Sequence, residues 1–143
     1  MADNNETLQQ EKVYYQGSCL CKAVRFELLA EPQTASHCHC TMCQKQHGAA
    51  FASYARVRHS ELRYLCGEGV IKSYASSKTV RRRFCSECGS NLTWGYTEGK
   101  WSEWVAVALG CFDTPFTQDI TREIHLEDMA PWWEPSAKSL KPE

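Results

Sequence analysis

Residues 36–48, SHCHCTMCQKQHG, place three cysteines and three histidines in one short run, and the cysteines are spaced C-x-C-x-x-C at Cys38, Cys40 and Cys43. Thiolates at that spacing converge on one metal ion. Zinc takes four ligands in structural sites, whereas catalytic zinc sites use three protein ligands and keep one position for water or substrate. Two further groups share the chain: Cys19 and Cys21 in GSCLC, and Cys85 and Cys88 in FCSECGS. The second is a C-x-x-C turn followed by Gly89, which frees the backbone to turn its N–H groups toward the sulfurs. Cys19 and Cys21 sit at the head of a predicted strand, where residues two apart point the same way. The two pairs together make a closed four-thiolate site joining the N-terminal region to the middle of the chain. Such a site contributes folding free energy directly.

Cys38, Cys40 and Cys43 are then left without a cysteine pair. Closure by His37 or His47 would make them a second structural clip, as would Cys66 or Cys111, which otherwise read as small buried hydrophobes. His39 lies between two ligands, and its side chain is expected to point away. We read the three thiolates as a zinc site whose vacancy faces substrate, with the histidines outside the ligand set. A thioredoxin-like role for the C-x-x-C lacks the βαβ pattern such motifs follow.

The elements that must position these groups are mostly β. KAVRFELL alternates Val24, Phe26 and Leu28 with charged residues, the period of a half-buried strand. AAFASYARV reads as a strand, and LRYLC and VIKSYAS flank GEG as a hairpin around Gly67 and Gly69. TVRRRF puts Val80, Arg82 and Phe84 on one face and Arg81 and Arg83 on the other; NLTWGY puts Leu92, Trp94 and Tyr96 on one face. WVAVALG is a continuous apolar strand and EIHLED a last short one. The only predicted helix is a turn or two around Met42–Gln46. Many short strands with glycine-rich turns predict packed antiparallel sheets.

The chain has 143 residues and nine cysteines, with a net charge of −1. That length fits one domain with a modest core that benefits from a staple. Near-neutral charge gives no electrostatic case for nucleic acid or a membrane surface. The longest apolar run is too short to span a bilayer. Residues 1–12 carry no apolar signal-peptide stretch, so the expectation is a cytoplasmic protein whose clustered thiols hold metal rather than disulfides. Residues 1–12 and 135–143 are expected as flexible tails around one domain at 13–134.

Three stretches, GSCLCKAVRFEL, CHCTMCQKQHGAAFASY and RRFCSECGSNLTW, resemble the glutathione-dependent formaldehyde-activating enzyme family, which also contains centromere protein V. The resemblance continues into HLEDMAPWWE. It implies a mainly β, β-tent fold of two twisted antiparallel sheets organised around zinc. It implies a structural zinc on Cys19, Cys21, Cys85 and Cys88 and a catalytic zinc on Cys38, Cys40 and Cys43. It also implies a carbon–sulfur lyase-type activity on the adduct of a thiol such as glutathione with an aldehyde such as formaldehyde.

A thiol peptide needs cations for its carboxylates. RRRF offers them, although a solvated strand face is the simpler reading of those arginines. His47 is placed to move a proton near neutral pH, or else simply to pack. Ser76 and Ser77 read as turn residues, and Trp132 and Trp133 as cover for a core edge. A non-catalytic zinc module recognising a protein or nucleic acid is the alternative, weakened by short, near-neutral tails. A redox enzyme like the methionine sulfoxide reductases would need Cys66 or Cys111 as an activated thiol, and neither has an activating neighbourhood in the sequence.

Overall fold

The computed structural model describes residues 11–134, so most of both expected tails lies outside the described residues. The strands are β1 (Tyr15–Ser18), β2 (Arg25–Leu28), β3 (Thr34–Cys38), β4 (Ala52–Arg58), β5 (Leu62–Cys66), β6 (Ile71–Ala75), β7 (Val80–Cys85), β8 (Asn91–Tyr96), β9 (Trp104–Ala108) and β10 (Arg122–Ile124). The α-helix among the described residues, α1 (Thr41–His47), stands where it was predicted. The chain is thus mainly β. A three-stranded sheet runs β1-β2-β5, and a seven-stranded sheet runs β10-β3-β4-β9-β8-β7-β6. Every strand pair is antiparallel except β10 with β3, which is parallel.

Alternation decides which faces meet. Tyr15, Phe26 and Leu28 of the small sheet pack against Val57, Val105 and Val107 of the large one. These are the inward positions of β1, β2, β4 and β9, and each fully buried aliphatic or aromatic side chain contributes about 1.5–3 kcal/mol. Phe112 and Phe116 cap this core on the Tyr15 ring, with centroids 5.3 and 5.6 Å away. The other face of the large sheet carries Cys38, Tyr54, Arg56, Arg82, Trp94 and Trp104, which line a cavity.

The expected hairpin around Gly67 and Gly69 does not form. β5 pairs with β2 in the small sheet, and β6 pairs with β7 at the edge of the large one. Gly67 is left-handed at φ 87° and is followed by a 3₁₀ turn, Glu68–Val70, that carries the chain between sheets instead of folding it back on itself. Gly67 also passes so close to the neighbouring turn that a Cβ would lie 2.1 Å from the Ala23 carbonyl oxygen. Gly67→Ala therefore combines left-handed strain with overpacking and is expected to destabilise by roughly 2–5 kcal/mol. Gly99, left-handed at φ 91° with open space around it, is the control, at about 1–2 kcal/mol for Gly99→Ala. Urea midpoints of the two variants test this; equal shifts would refute the close approach.

A second departure is a β-bulge. Arg83 faces Thr93 but Phe84 faces Asn91, so Leu92 is the extra residue of β8. The bulge breaks the alternation at that point. Leu92 packs with Cys19, Val24 and Cys85, whereas Trp94 packs near Cys38, Cys40 and Cys43. The expected common face of Leu92, Trp94 and Tyr96 is thus reduced to Trp94 and Tyr96, with ring centroids 4.9 Å apart. On β7, Val80 and Arg82 are buried while Phe84 is only half-buried.

Candidate metal centres and the adjoining cavity

Cys19 and Cys21 stand in the turn after β1, Cys85 ends β7, and Cys88 follows in a tight turn. Gly89, at φ 81°, closes that turn with its N–H donating to the Cys85 carbonyl at 2.7 Å. All four sulfurs lie within 4.8 Å of one another. Cys19 Sγ is 3.6 Å from Cys21 Sγ, and Cys21 Sγ is 3.9 Å from Cys85 Sγ. A tetrahedral zinc with bonds of ~2.3 Å needs sulfur separations of about 3.8 Å, so this donor set fits such an ion. The Val24 backbone N–H donates to Cys19 Sγ at 3.3 Å, the kind of support that orients a ligating thiolate. Cys19 and Cys85 are buried, packed with Val24 and Leu92.

The second group is built from a strand end and a helix start. Cys38 is the last residue of β3, Cys40 caps α1, and Cys43 lies in the first turn of that helix. Cys40 Sγ accepts the Cys43 backbone N–H at 3.3 Å, filling the role an oxygen side chain takes at ordinary N-caps. The three sulfurs lie within 4.8 Å of one another, and among the described residues their group includes no histidine and no fourth cysteine. The donor set can hold a metal with one position left over.

The histidines are accounted for elsewhere. His39 is fully buried and turned to the opposite face of β3, with Nε2 2.9 Å from Glu123 Oε1. His37 Nδ1 lies 2.8 Å from the other oxygen of the same carboxylate. Phe51 stacks on His37 at 4.0 Å, and Trp133 packs against His39 and Phe51. Trp133 is therefore cover, as expected, while Trp132 is exposed. His47 Nε2 is 3.1 Å from the Tyr54 hydroxyl, and burial holds the His47 ring below its usual pKa and the Tyr54 phenol well above its own. Cys66 is exposed rather than buried, with its thiol near the Ala23 carbonyl. Cys111 is half-buried, donates to the Asn91 carbonyl at 3.2 Å, and is pushed up to about 11 by desolvation. Neither joins the three-cysteine group.

Arg82 corrects the reading of RRRF as a solvated face. It is only 3% exposed, and its guanidinium donates to Gln46 Oε1 at 2.7 Å, to Ser76 Oγ at 2.9 Å and to Cys43 Sγ at 3.5 Å. Ser76 is thus a partner of Arg82 and not merely a turn residue. Cys43 is held down at about 5 by the proton it shares with Cys38 and then by Arg82, while Cys38 is pushed up correspondingly. A buried cation beside this sulfur offsets part of the negative charge that three thiolates bring together. The sequence carried one signal for this: Arg82 alternates with Val80 on the buried face.

The three sulfurs lie along a cavity of about 390 Å³. Its walls are aromatic, with Tyr54, Trp94, Tyr96, Trp101 and Trp104, and its charged residues are Arg56, Arg82 and Arg122. Among the described residues, no Asp or Glu lines it. Among the described residues, no helix is long and apolar enough to cross a membrane.

The motifs and the architecture both have counterparts among known proteins. A family model described as glutathione-dependent formaldehyde-activating enzyme matches residues 14–128. An uncharacterized lyase of Schizosaccharomyces pombe is 36% identical over 86 residues, which are 60% of this chain and 61% of the relative, so the aligned stretch spans less than two thirds of that relative's length. The crystal structure of a Rhodobacter sphaeroides protein superposes with a TM-score of 0.59 at 25% identity, covering 76% of this chain and 98% of that one. The match reaches across all three cysteine groups and both sheets, and the chain belongs to the glutathione-dependent formaldehyde-activating enzyme family.

Proposed function

We propose that this chain is a zinc-dependent, carbon–sulfur lyase-type enzyme acting on the adduct of a small thiol with an aldehyde. Glutathione and formaldehyde are the reference pair. The observation that carries this reading is the contrast between the two sulfur groups. One has four donors, two of them, Cys19 and Cys85, buried in the core; the other has three and lines a cavity. The first is read as a structural zinc on Cys19, Cys21, Cys85 and Cys88, the second as a catalytic zinc on Cys38, Cys40 and Cys43. A zinc ion on the second group supplies the positive charge that keeps a thiol deprotonated near neutral pH or polarises a carbonyl.

The chain's own residues supply the rest. Arg82 orients Cys43 and balances charge beneath the reacting atoms. Trp94 and Tyr54 exclude water from one side of the sulfur group, which strengthens every charge interaction there. The Tyr54 hydroxyl, hydrogen-bonded to a neutral His47, is a group of the cavity wall able to pass a proton.

Two zinc ions per chain are expected by elemental analysis, one removable by mild chelation with loss of adduct formation from glutathione and formaldehyde. The second is expected to resist until the protein unfolds. NMR titration of the metal-loaded protein with glutathione, with and without formaldehyde, should shift residues 38–48. A single zinc per chain, or full turnover after the labile ion has gone, would sink the reading.

A further inference from the structure

The cavity has more positive charge than its own chain uses. Outside the cavity, Arg58 is paired with Glu103 at 2.8 Å and Arg63 with Glu27 at 2.6 Å. Among the described residues, two arginines of the cavity, Arg56 and Arg122, have no carboxylate partner. Arg56 Nε donates to the neutral Gln33 side chain at 2.9 Å, and its guanidinium lies over the rings of Trp101 and Trp104, at 4.9 and 5.6 Å. The Arg122 side chain has no hydrogen bond or ion pair among the described residues. Its sequence neighbour Glu123 points to the other face of β10, where His37 and His39 occupy both of its oxygens. The third cavity arginine, Arg82, already gives its donors to Cys43, Gln46 and Ser76.

Register fixes where this pair sits. Arg122 lies opposite Ser36 and Arg56 opposite Thr34, both on β3, whose last residue is Cys38. At ~3.3 Å per strand residue, the two arginines are anchored about 7 and about 13 Å from the Cys38 position along that strand. An extended peptide covers such distances in two to four residues. With Nε given to Gln33, the terminal N–H groups of Arg56 are the donors left for a carboxylate.

We propose that Arg56 and Arg122 form a carboxylate receptor, so that the thiol this chain accepts is an anionic, peptide-sized one whose sulfur lies at Cys38, Cys40 and Cys43. Its carbon stem lies along Trp94, Trp101 and Trp104. This rests on the thiol-binding reading above and names the receptor within it. Desolvation, and after it the neighbouring charge of Arg122, depress the Arg56 pKa; a bound anion relieves the second of these costs.

The test uses the full, metal-loaded chain and two probes, glutathione and its diester, in which both carboxylates are masked. Affinities are read by calorimetry for the wild type, Arg56→Gln, Arg122→Gln and Arg122→Lys. The wild type is expected to prefer the acid by about tenfold or more, and each Gln variant to lose about tenfold toward the acid while holding the diester within about twofold. Arg122→Lys should fall between, since it keeps charge but not the planar fork. Zinc content and circular dichroism must match the wild type. They are expected to do so, because Arg122 is exposed on an edge strand. Equal binding of acid and diester, unchanged by the variants, overturns the receptor and leaves the thiol-enzyme reading intact. If neither probe binds wild type, the thiol-enzyme reading itself falls and the receptor with it.

Discussion

Cys85→Ser is expected to yield a protein with no cooperative thermal transition and one zinc fewer per chain. Cys85 is fully buried, and its sulfur stands 3.9 Å from that of Cys21. The group it completes joins the turn after β1 to the end of β7, and so ties the small sheet to the large one. Structural zinc in small domains contributes about 10–16 kcal/mol of apparent binding free energy, against a net stability of roughly 5–15 kcal/mol for a typical domain. Losing even half of the metal term is comparable with the whole margin. A serine hydroxyl left among Val24 and Leu92 adds a buried polar group with no partner designed for it. Calorimetry together with metal analysis checks this; a variant that melts like the wild type would show that the four-sulfur group does not hold the fold.

Cys40→Ser should behave in the opposite way: folded, with adduct formation lowered by more than ~100-fold. Cys40 is the N-cap of α1, and serine is among the best N-cap residues, so the substitution keeps the cap to the Cys43 N–H while removing a thiolate. Its stability cost is expected to stay within about 1 kcal/mol. Run beside Cys85→Ser, it separates the two sulfur groups by role. If both variants unfold alike, the three-cysteine group is a second structural clip and the cavity beside it is not an active site.

The grouping of the cysteines was legible in the sequence because local spacing fixes much of it. C-x-C and C-x-x-C bring sulfurs together within one turn, and strand alternation in KAVRFELL identified Phe26 and Leu28 as core. Helix α1 was visible for the same reason. What needed long-range information was missed. LRYLC and VIKSYAS look like a hairpin, and only β2 and β7 as competing partners show that they part into different sheets. The Leu92 bulge is set by the pairing of β7 with β8 and leaves no mark in NLTWGY. Glu123 holds His37 and His39 from a strand more than eighty residues away in sequence, at |i−j| = 84 from His39. Arg56 and Arg122 look like ordinary strand charges until β3 brings them to one cavity. The reading of the cations failed at RRRF because burial of Arg82 follows from Gln46 and Ser76, neither of which declares itself as a partner.

If zinc closes the four-sulfur group as proposed, that clip between the sheets also orders events in time. Cys21 and Cys85 are 64 positions apart, and β2 waits on both β1 and β5 for its neighbours. During synthesis the first two strands can pair, but nothing locks them until Cys88 has left the ribosome, several seconds later at ~5–20 residues per second. In that interval the apolar face of Tyr15, Phe26 and Leu28 is without Val105 and Val107, which are made last. Metal supply would then matter from the moment residue 88 emerges: a nascent chain without zinc reaches the synthesis of Val105 and Val107 with its first strands still untied from β7. Scarcity of zinc would therefore be felt as failed maturation of new chains.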